Sequence, residues 1–250
     1  MELQKILENL GGSTENINAA INELKSQVDE REIGQYIDQY DGQHAILNKP
    51  DKTVGKEGNQ RTVETAKINV TFQKKIVQSA MFFLLGEPPQ LYLNTTEDQV
   101  NNQTFQEVKN LWDEIECDSR NLNIAEALFS ESKVAELHYP YKDQDDVIRF
   151  GMKILSKRNG DDIYPHYDAN GIMDAFTREY KIKNEQGEAE SAMDIYTQKV
   201  ILYGRLKGGQ WQFEEKKNLY NMIPVVYYDQ NQPEWADVQR AIDRYEKLVS

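Results

Sequence analysis

The segment from Thr65 to Pro89 constrains the fold of this chain more than any other stretch of its sequence. Apolar residues recur there at every fourth position, which is the spacing of one helix face, namely at Ile68, Phe72, Ile76, Ala80 and Leu84. Gly86 predicts a helix end on a left-handed residue, and Pro88 and Pro89 exclude any continuation. We therefore predict one long helix that is buried as the spine of its domain.

Shorter helical patterns precede this segment. Apolar residues at helical spacing predict three helices before residue 42, and Ser13 or Thr14 can cap the second of them. The pattern then lapses, because residues 43–63 contain Pro50, Gly55, Gly58 and few apolar side chains. We expect this segment to form a long exposed loop.

After Lys133 the residue pattern changes to an alternation of apolar and polar residues. A short strand is possible at 91–93, and the later patterns predict strands near 134–139, 147–156, 162–167, 172–182, 193–203, 210–213 and 223–228. Tight turns such as Asn159-Gly160 and Gly208-Gly209 separate them, which favours antiparallel pairing. Pro224 places the last strand at a sheet edge. Helices first and strands later predict an α+β fold.

The chain ends in an amphipathic helix that begins near Pro233. Its apolar residues alternate at steps of three and four, forming a narrow seam at Trp235, Val238, Ile242, Tyr245 and Val249. Such a seam is typical of contacts between helices, so we expect it to be exposed in one chain and covered in an assembly. The helix pattern has no stop signal at Ser250, and we expect the protein to continue. This divides the chain into residues 1–228 and a link with the start of a further helix at 229–250.

Composition and motifs give no positive sign of an enzyme. The chain carries 29 Lys and Arg against 42 Asp and Glu, a net charge of −13, without a basic patch of the kind that grips phosphates. Phosphate-binding loops, zinc-binding motifs and C-x-x-C pairs are absent from the sequence. Cys117 is the single cysteine, which excludes an internal disulfide. No apolar run is long enough to span a bilayer. We assign no catalytic, cofactor-binding or metal-binding residue.

Two alternatives remain open from the residues. One is a small metal-dependent hydrolase, because a local polar cluster could hold a divalent cation, formed by Asp161, Asp162, His166 and Asp168. Turn aspartates beside a strand explain the same residues more simply. The other is an α+β module that binds a peptide or glycan through tyrosines, namely Tyr139, Tyr141, Tyr164, Tyr167, Tyr227 and Tyr228.

Four sequence landmarks, in their order, resemble the portal proteins of tailed bacteriophages, in particular the long-tailed-phage type. They are YDGQHAI at 40–46 before a loop rich in Lys and Gly, FFLLGEP at 82–88, KVAELHY at 133–139, and IPVVYY at 223–228 before a helix that ends with YEKLVS at 245–250. A β-rich region with Asp168 and Arg178-Glu179-Tyr180 lies between the last two. The resemblance extends from about residue 36 to the end.

The resemblance implies a structural protein rather than an enzyme. Portal subunits form a ring, typically a dodecamer, at one vertex of the phage capsid, and DNA passes through its channel during packaging and ejection without sequence-specific binding. The terminase packaging motor, the capsid, head-completion proteins and the tail attach to it. Residues 1–228 would be the α+β wing, and the helix after Pro233 the approach to the stem. The protein would be assembled in the bacterial cytoplasm and become part of the virion. The acidic surface suits a conduit that must not hold DNA.

Overall fold

A computed structural model describes residues 3–27, 31–94, 99–184 and 186–250 of the chain. The helices are α1 (Leu3–Leu10), α2 (Thr14–Lys25), α3 (Ile33–Tyr40), α4 (Phe72–Leu85), α5 (Gln99–Glu114), α6 (Cys117–Glu131) and α7 (Gln239–Val249). The strands are β1 (Lys52–Val54), β2 (Arg61–Val63), β3 (Lys133–Lys142), β4 (Ile148–Leu155), β5 (Asp162–Tyr167), β6 (Met173–Lys183), β7 (Ala189–Thr197), β8 (Val200–Lys207), β9 (Gln210–Lys217) and β10 (Val225–Asp229). Short 3-10 turns span Ala45–Asn48 and Ala236–Val238.

The strands form antiparallel sheets, which confirms the α+β prediction. Strands β5 to β9 follow one another in a five-stranded meander, and a three-stranded sheet has the order β10-β3-β4. β10 is an edge strand, as Pro224 indicated. β1 and β2 form a separate two-stranded hairpin.

The centre of the five-stranded sheet is covered on both faces. Met193 and Ile195 of β7 pack with α1 and α2 in one apolar cluster. Phe176 and Tyr196 point to the opposite face and pack with the three-stranded sheet. Because successive strand residues face opposite sides, a strand between two layers is buried at nearly every position, and residues 192–197 of β7 are all buried.

Helix α6 covers the outer face of the three-stranded sheet. Ile124 and Ala127 pack there against Val134 of β3 and Met152 of β4, beside the buried Cys117. α3 and α4 in turn lie against α6. The helix that is central to this part of the fold is thus α6.

The predicted buried spine helix is the main error of the sequence interpretation. The helix exists, but it begins at Phe72, and within it the structure buries only Gln73 and Val77. Phe72 and Leu84 are exposed. Gly86 ends the helix in the right-handed region, with φ of −62°, rather than in the left-handed one. Part of the apolar stripe of α4 packs against α6, and the remainder faces solvent.

Three further details differ from the predictions. Residues 91–93 form no strand. The pattern at 193–203 is two strands, because Thr197 Oγ1 bonds both the N–H and the carbonyl of Val200 and closes a tight turn. Residues 43–63 hold a 3-10 turn and the β1–β2 hairpin rather than a plain loop, with Ile46 buried and residues 51–64 exposed.

Candidate functional site

A buried tryptophan anchors the start of the C-terminal segment. Trp235 directly precedes the 3-10 turn that leads into α7, and its exposed fraction is 0%. Its ring stacks on Tyr40 of α3 with a centroid distance of 5.8 Å. Its Nε1–H donates to Oε1 of Gln39 at 3.1 Å, and Val77 of α4 packs beside it. Tryptophan is well suited to this position because it buries a large apolar area while its N–H still finds a partner.

A buried carboxylate fixes the other end of α7. Oε1 of Glu246 accepts the backbone N–H of Val70 at 2.9 Å and also contacts Nδ1 of the buried His44. His44 Nε2 lies 2.8 Å from the carbonyl oxygen of Gln39, and because that oxygen can only accept, Nε2 carries a hydrogen. A carboxylate that stays buried is costly to leave without its partners. Polar contacts therefore hold α7 in addition to apolar ones.

An apolar groove lies between α4 and α7 and is open to solvent. It has a volume of about 910 Å³. Its apolar lining residues are Phe72, Ile76, Ala80, Val238, Ala241, Ile242 and Tyr245. The rings of Phe72 and Tyr245 meet across it with a centroid distance of 5.9 Å, and the charged residues Lys75 and Glu234 also line it. An exposed apolar surface with a charged rim is typical of protein interfaces.

The structure divides the predicted seam into two sets. Trp235 and Ile242 are buried within their own chain, so the expectation that they are exposed in a single chain is wrong. Val238, Tyr245 and Val249 are exposed, Tyr245 at 47%. Trp235 and Ile242 are seven residues apart, as are Val238 and Tyr245, so each pair keeps to one side of the segment. Trp235 and Ile242 hold the segment in place, and Val238 and Tyr245 line the groove together with Ile242.

The end of α4 exposes a second apolar surface. Phe82, Phe83 and Leu84 are exposed, and Phe83 reaches 94%. Large apolar side chains that stand together in solvent are unusual on a chain that functions alone. This patch and the groove both belong to α4, so this helix exposes apolar residues along most of its length.

The four residues of the possible metal cluster do not come together. Asp161 pairs with Nε of Arg178 at 2.6 Å, and Asp162 pairs with Lys157 at 2.6 Å. His166 pairs with Asp174 at 2.5 Å through Nδ1. Asp168 accepts the backbone N–H groups of Asn170 and Ile172 and closes a turn, which also lowers its pKa. Within the described ranges, no group of three or more His, Cys, Asp or Glu residues could hold a metal ion.

The buried charges near Asp161 belong to the core of the β-rich region. Arg178 bonds Asp161 and lies 3.9 Å from Oδ2 of Asp194, which accepts the hydroxyl of Tyr180 at 3.0 Å. Burial raises the pKa of Asp194. These groups pair across the start of β5, β6 and β7, which accounts for the burial of the charges. In the part of the chain that the structure describes, Oδ2 of Asp161 and Oδ1 of Asp194 are buried without a hydrogen-bond partner.

The six tyrosines of the binding-module alternative differ in their burial and their partners, and the rings of Tyr139 and Tyr141 contact each other with a centroid distance of 6.2 Å. Tyr228 donates to Glu136 at 2.8 Å, and burial together with that carboxylate raises its pKa to about 12. Tyr164 has a pKa of about 12, raised chiefly by burial, and lies under Lys25. Tyr227 packs on Phe176, while Tyr167 is half-buried. Only Tyr139 and Tyr141 are exposed among the six. The other four tyrosines are at least half-buried, so the six do not form one exposed aromatic surface.

Comparison with known proteins identifies the class. A family model described as phage portal protein, SPP1 Gp6-like, matches residues 22–250. The chain therefore belongs to this family of phage portal proteins, which are structural components of the virion, and the resemblance seen in the sequence is confirmed. No curated protein gave a match. In the part of the chain that the structure describes, no helix combines the length and the apolar character needed to cross a membrane.

The sequence interpretation missed the polar residues that position this surface. His44 and Glu246 are separated by 202 residues and carry no local motif. Glu246 gives one weak signal, because it follows Ile242 by four residues and so lies on the inward side of α7. A charged residue on the buried side of an amphipathic helix indicates a polar partner in the body.

Proposed function

We propose that this chain is the wing-like part of a portal subunit, in a ring that forms the conduit for DNA packaging and ejection at a unique capsid vertex. The observation that carries the proposal is the family match across residues 22–250. The exposed apolar surface of α4 and α7 supports it, because one chain leaves this surface uncovered. In the ring, a dodecamer on the family pattern, the subunit serves as the attachment point for the packaging motor and tail.

The groove between α4 and α7 is the part of the surface that we assign to self-assembly, with a second copy of this chain as its occupant. Val238, Tyr245 and Val249 make the contact, and Trp235 and Ile242 support them from inside. Ring closure needs contacts that repeat from subunit to subunit, and an apolar groove with charged edges provides one. Residues 1–228 then act as the wing, and residues 229–250 as the link and the start of a stem-like helix.

The net charge of −13 supports the role of a conduit. A wall that repels phosphates lets duplex DNA move, since each tight phosphate contact would have to break during transport. We expect DNA to pass without sequence-specific binding, and the purified chain to bind free duplex DNA weakly. Gel-shift titration at low salt measures this.

The test of self-assembly compares a groove variant with a matched surface variant. Val238→Ser with Tyr245→Ser removes apolar area from the groove, whereas Ile172→Ser with Leu219→Ser removes it from exposed positions outside the groove lining. Native mass spectrometry and negative-stain electron microscopy measure oligomer size. We expect rings for the wild type and for the control pair, and smaller species for the groove pair. A wild-type chain that stays monomeric at high concentration contradicts the proposal.

A further inference from the structure

The β1–β2 hairpin is an arm with one face that is both basic and apolar. In its antiparallel register Lys52 is opposite Val63, and Val54 is opposite Arg61. Opposite residues share a face, as do residues two apart along a strand, so these four side chains all lie on the same side. The hairpin from Lys52 to Val63 carries three basic residues and one acidic one, in a chain whose net charge is −13.

The hairpin has a fixed neck and no core of its own. Thr65 donates its N–H to Oδ1 of Asp51 at 3.2 Å and its hydroxyl to the carbonyl of Pro50 at 3.1 Å, which closes the base. All residues of both strands are exposed, with Val54 and Val63 each at 40%. An isolated two-stranded hairpin is only marginally stable in water. Contact with another surface on the Val54 and Val63 face would stabilise it.

The opposite charge is concentrated where two turns meet, a surface that we call the acidic corner. The turn from α5 to α6 and the turn from β3 to β4 contribute its carboxylates, which are Asp113, Glu114, Glu116, Asp118, Asp143, Asp145 and Asp146. Lys142 pairs with Asp146 at 3.1 Å and neutralises part of this charge, which leaves the corner negative overall. Arg149 joins the two turns, with Nη1 3.2 Å from Glu114 and Nε 3.0 Å from Asp143. Burial raises the pKa of the Cys117 thiol, and Glu136 of β3 together with Asp118 and Asp113 of the corner adds to this effect, while Arg120 opposes it.

Exposed apolar residues lie beside the acidic corner. Ile148 and Phe150 of β4 are exposed at 64% and 46%. They alternate along the strand with Met152, so all three side chains lie on one face, and Met152 packs under α6. The apolar pair therefore stands on the side of the sheet where α5 and α6 lie. The corner thus combines negative charge with apolar area, as the hairpin combines positive charge with apolar area.

We propose that the hairpin of one copy docks on the acidic corner of a neighbouring copy. The proposal rests on the ring assembly proposed above and names a second contact within it. Val54 and Val63 cover Ile148 and Phe150, while Lys52 and Arg61 meet the carboxylates. An apolar centre with complementary charges at its rim is the usual anatomy of a specific interface, and such charges also set orientation.

The placement of the two surfaces suits a head-to-tail contact. The neck of the hairpin leads to Val70, which bonds Glu246 of α7. Helix α6 has Phe129 in the cluster with Trp235, while its other end, Cys117, lies at the acidic corner. The 15 residues of α6 span about 20 Å at 1.5 Å per residue. Two different, separated surfaces that bind each other between copies generate a ring when the rotation closes.

Charge exchange tests this contact. The variant Lys52→Glu with Arg61→Glu reverses the charge of the hairpin face, and Asp113→Lys with Glu116→Lys reverses the charge at two positions of the acidic corner. We expect each pair to weaken subunit association by about tenfold or more at low salt, and the combined variant to recover most of the loss. Lys183→Glu with Lys207→Glu makes the same change of charge on the five-stranded sheet and serves as the control. Sedimentation velocity measures association, and circular dichroism confirms that each variant is folded.

The outcomes separate this inference from the proposed ring function. Weaker subunit association in each of the two charge-reversed variants, with recovery of association in the combined variant, supports the contact. Rings that form equally well in all variants overturn the hairpin contact and leave the ring proposal standing. Failure of recovery in a folded combined variant also overturns it. Duplex DNA bound by the wild type and lost in the hairpin variant, with association unchanged, assigns the basic face to nucleic acid instead. A monomeric wild type contradicts the ring itself.

Discussion

The five-stranded sheet and the layer of α4 and α7 use similar apolar residues in different ways. In the sheet, Ile195 packs toward α1 and α2, and Tyr196 packs toward the three-stranded sheet, so both faces are covered within one chain. In the helical layer, Val77 and Trp235 are buried while Phe83 is exposed. The centre of the sheet is thus covered within a single copy, although β9 at its edge is mostly exposed. The helical layer has only one covered side, which agrees with the self-assembly that we propose for it.

The largest contrast should come from the same substitution in the two regions. Phe176→Ala removes a fully buried ring between two sheets and should lower the free energy of unfolding by about 3–5 kcal/mol. Phe83→Ala removes an exposed ring and should change it by less than about 0.5 kcal/mol. Urea denaturation of both variants measures the difference. Equal losses would mean that the two regions do not differ in burial.

Trp235→Ala should lower the free energy of unfolding nearly as much as Phe176→Ala, although Trp235 lies in the helical layer. The change empties the cluster formed with Tyr40 and Val77 and should destabilise the chain by about 3 kcal/mol. Because the anchor of α7 is lost, amide exchange in residues 239–249 should accelerate more than in the five-stranded sheet. Val238→Ala, in the same turn but exposed, is the control. Unchanged exchange in α7 would show that the tryptophan is not its anchor.

Glu246→Ala should lower the free energy of unfolding by less than Trp235→Ala and by more than Phe83→Ala. It leaves the N–H of Val70 and the ring of His44 without their buried acceptor, at a cost of about 1–3 kcal/mol. Glu246→Gln keeps an oxygen for Val70 and should cost less. Denaturation gives both values. An alanine variant as stable as the wild type would mean that apolar contacts alone hold α7.

The smallest expected effect is on the pH dependence of stability, through Asp194 in the five-stranded sheet. Burial raises the pKa of Asp194, so between its unfolded value near 4 and its folded value the native state binds more protons than the unfolded state. Its contribution to stability therefore increases as the pH falls through that window. Asp194→Asn should remove this part of the pH dependence, measured by denaturation at several pH values. Asp237→Asn, beside α7, is the control, and an identical curve for wild type and Asp194→Asn would contradict the assignment.

The sequence predicted the sheets better than the helical layer, for a physical reason. Strands such as β5 and β6 show alternation bounded by Gly turns, and a local pattern of this kind nearly fixes their limits. An apolar stripe on a helix shows which side is apolar, but not how much of it a partner covers. The exposure of Phe72 and Leu84 and the burial of Trp235 therefore depended on the tertiary arrangement. The His44–Glu246 pair was equally invisible, because its members lie 202 positions apart.

The carboxylate of Glu246 closes more than one contact. Its Oε1 bonds His44 before the β1–β2 hairpin and Val70 after it, so a single atom on α7 clasps both legs of the arm. A sideways displacement of that helix must drag the base of the arm along or break a buried bond. A shift of α7 and a shift of the segments that flank the hairpin are therefore coupled through this one oxygen atom.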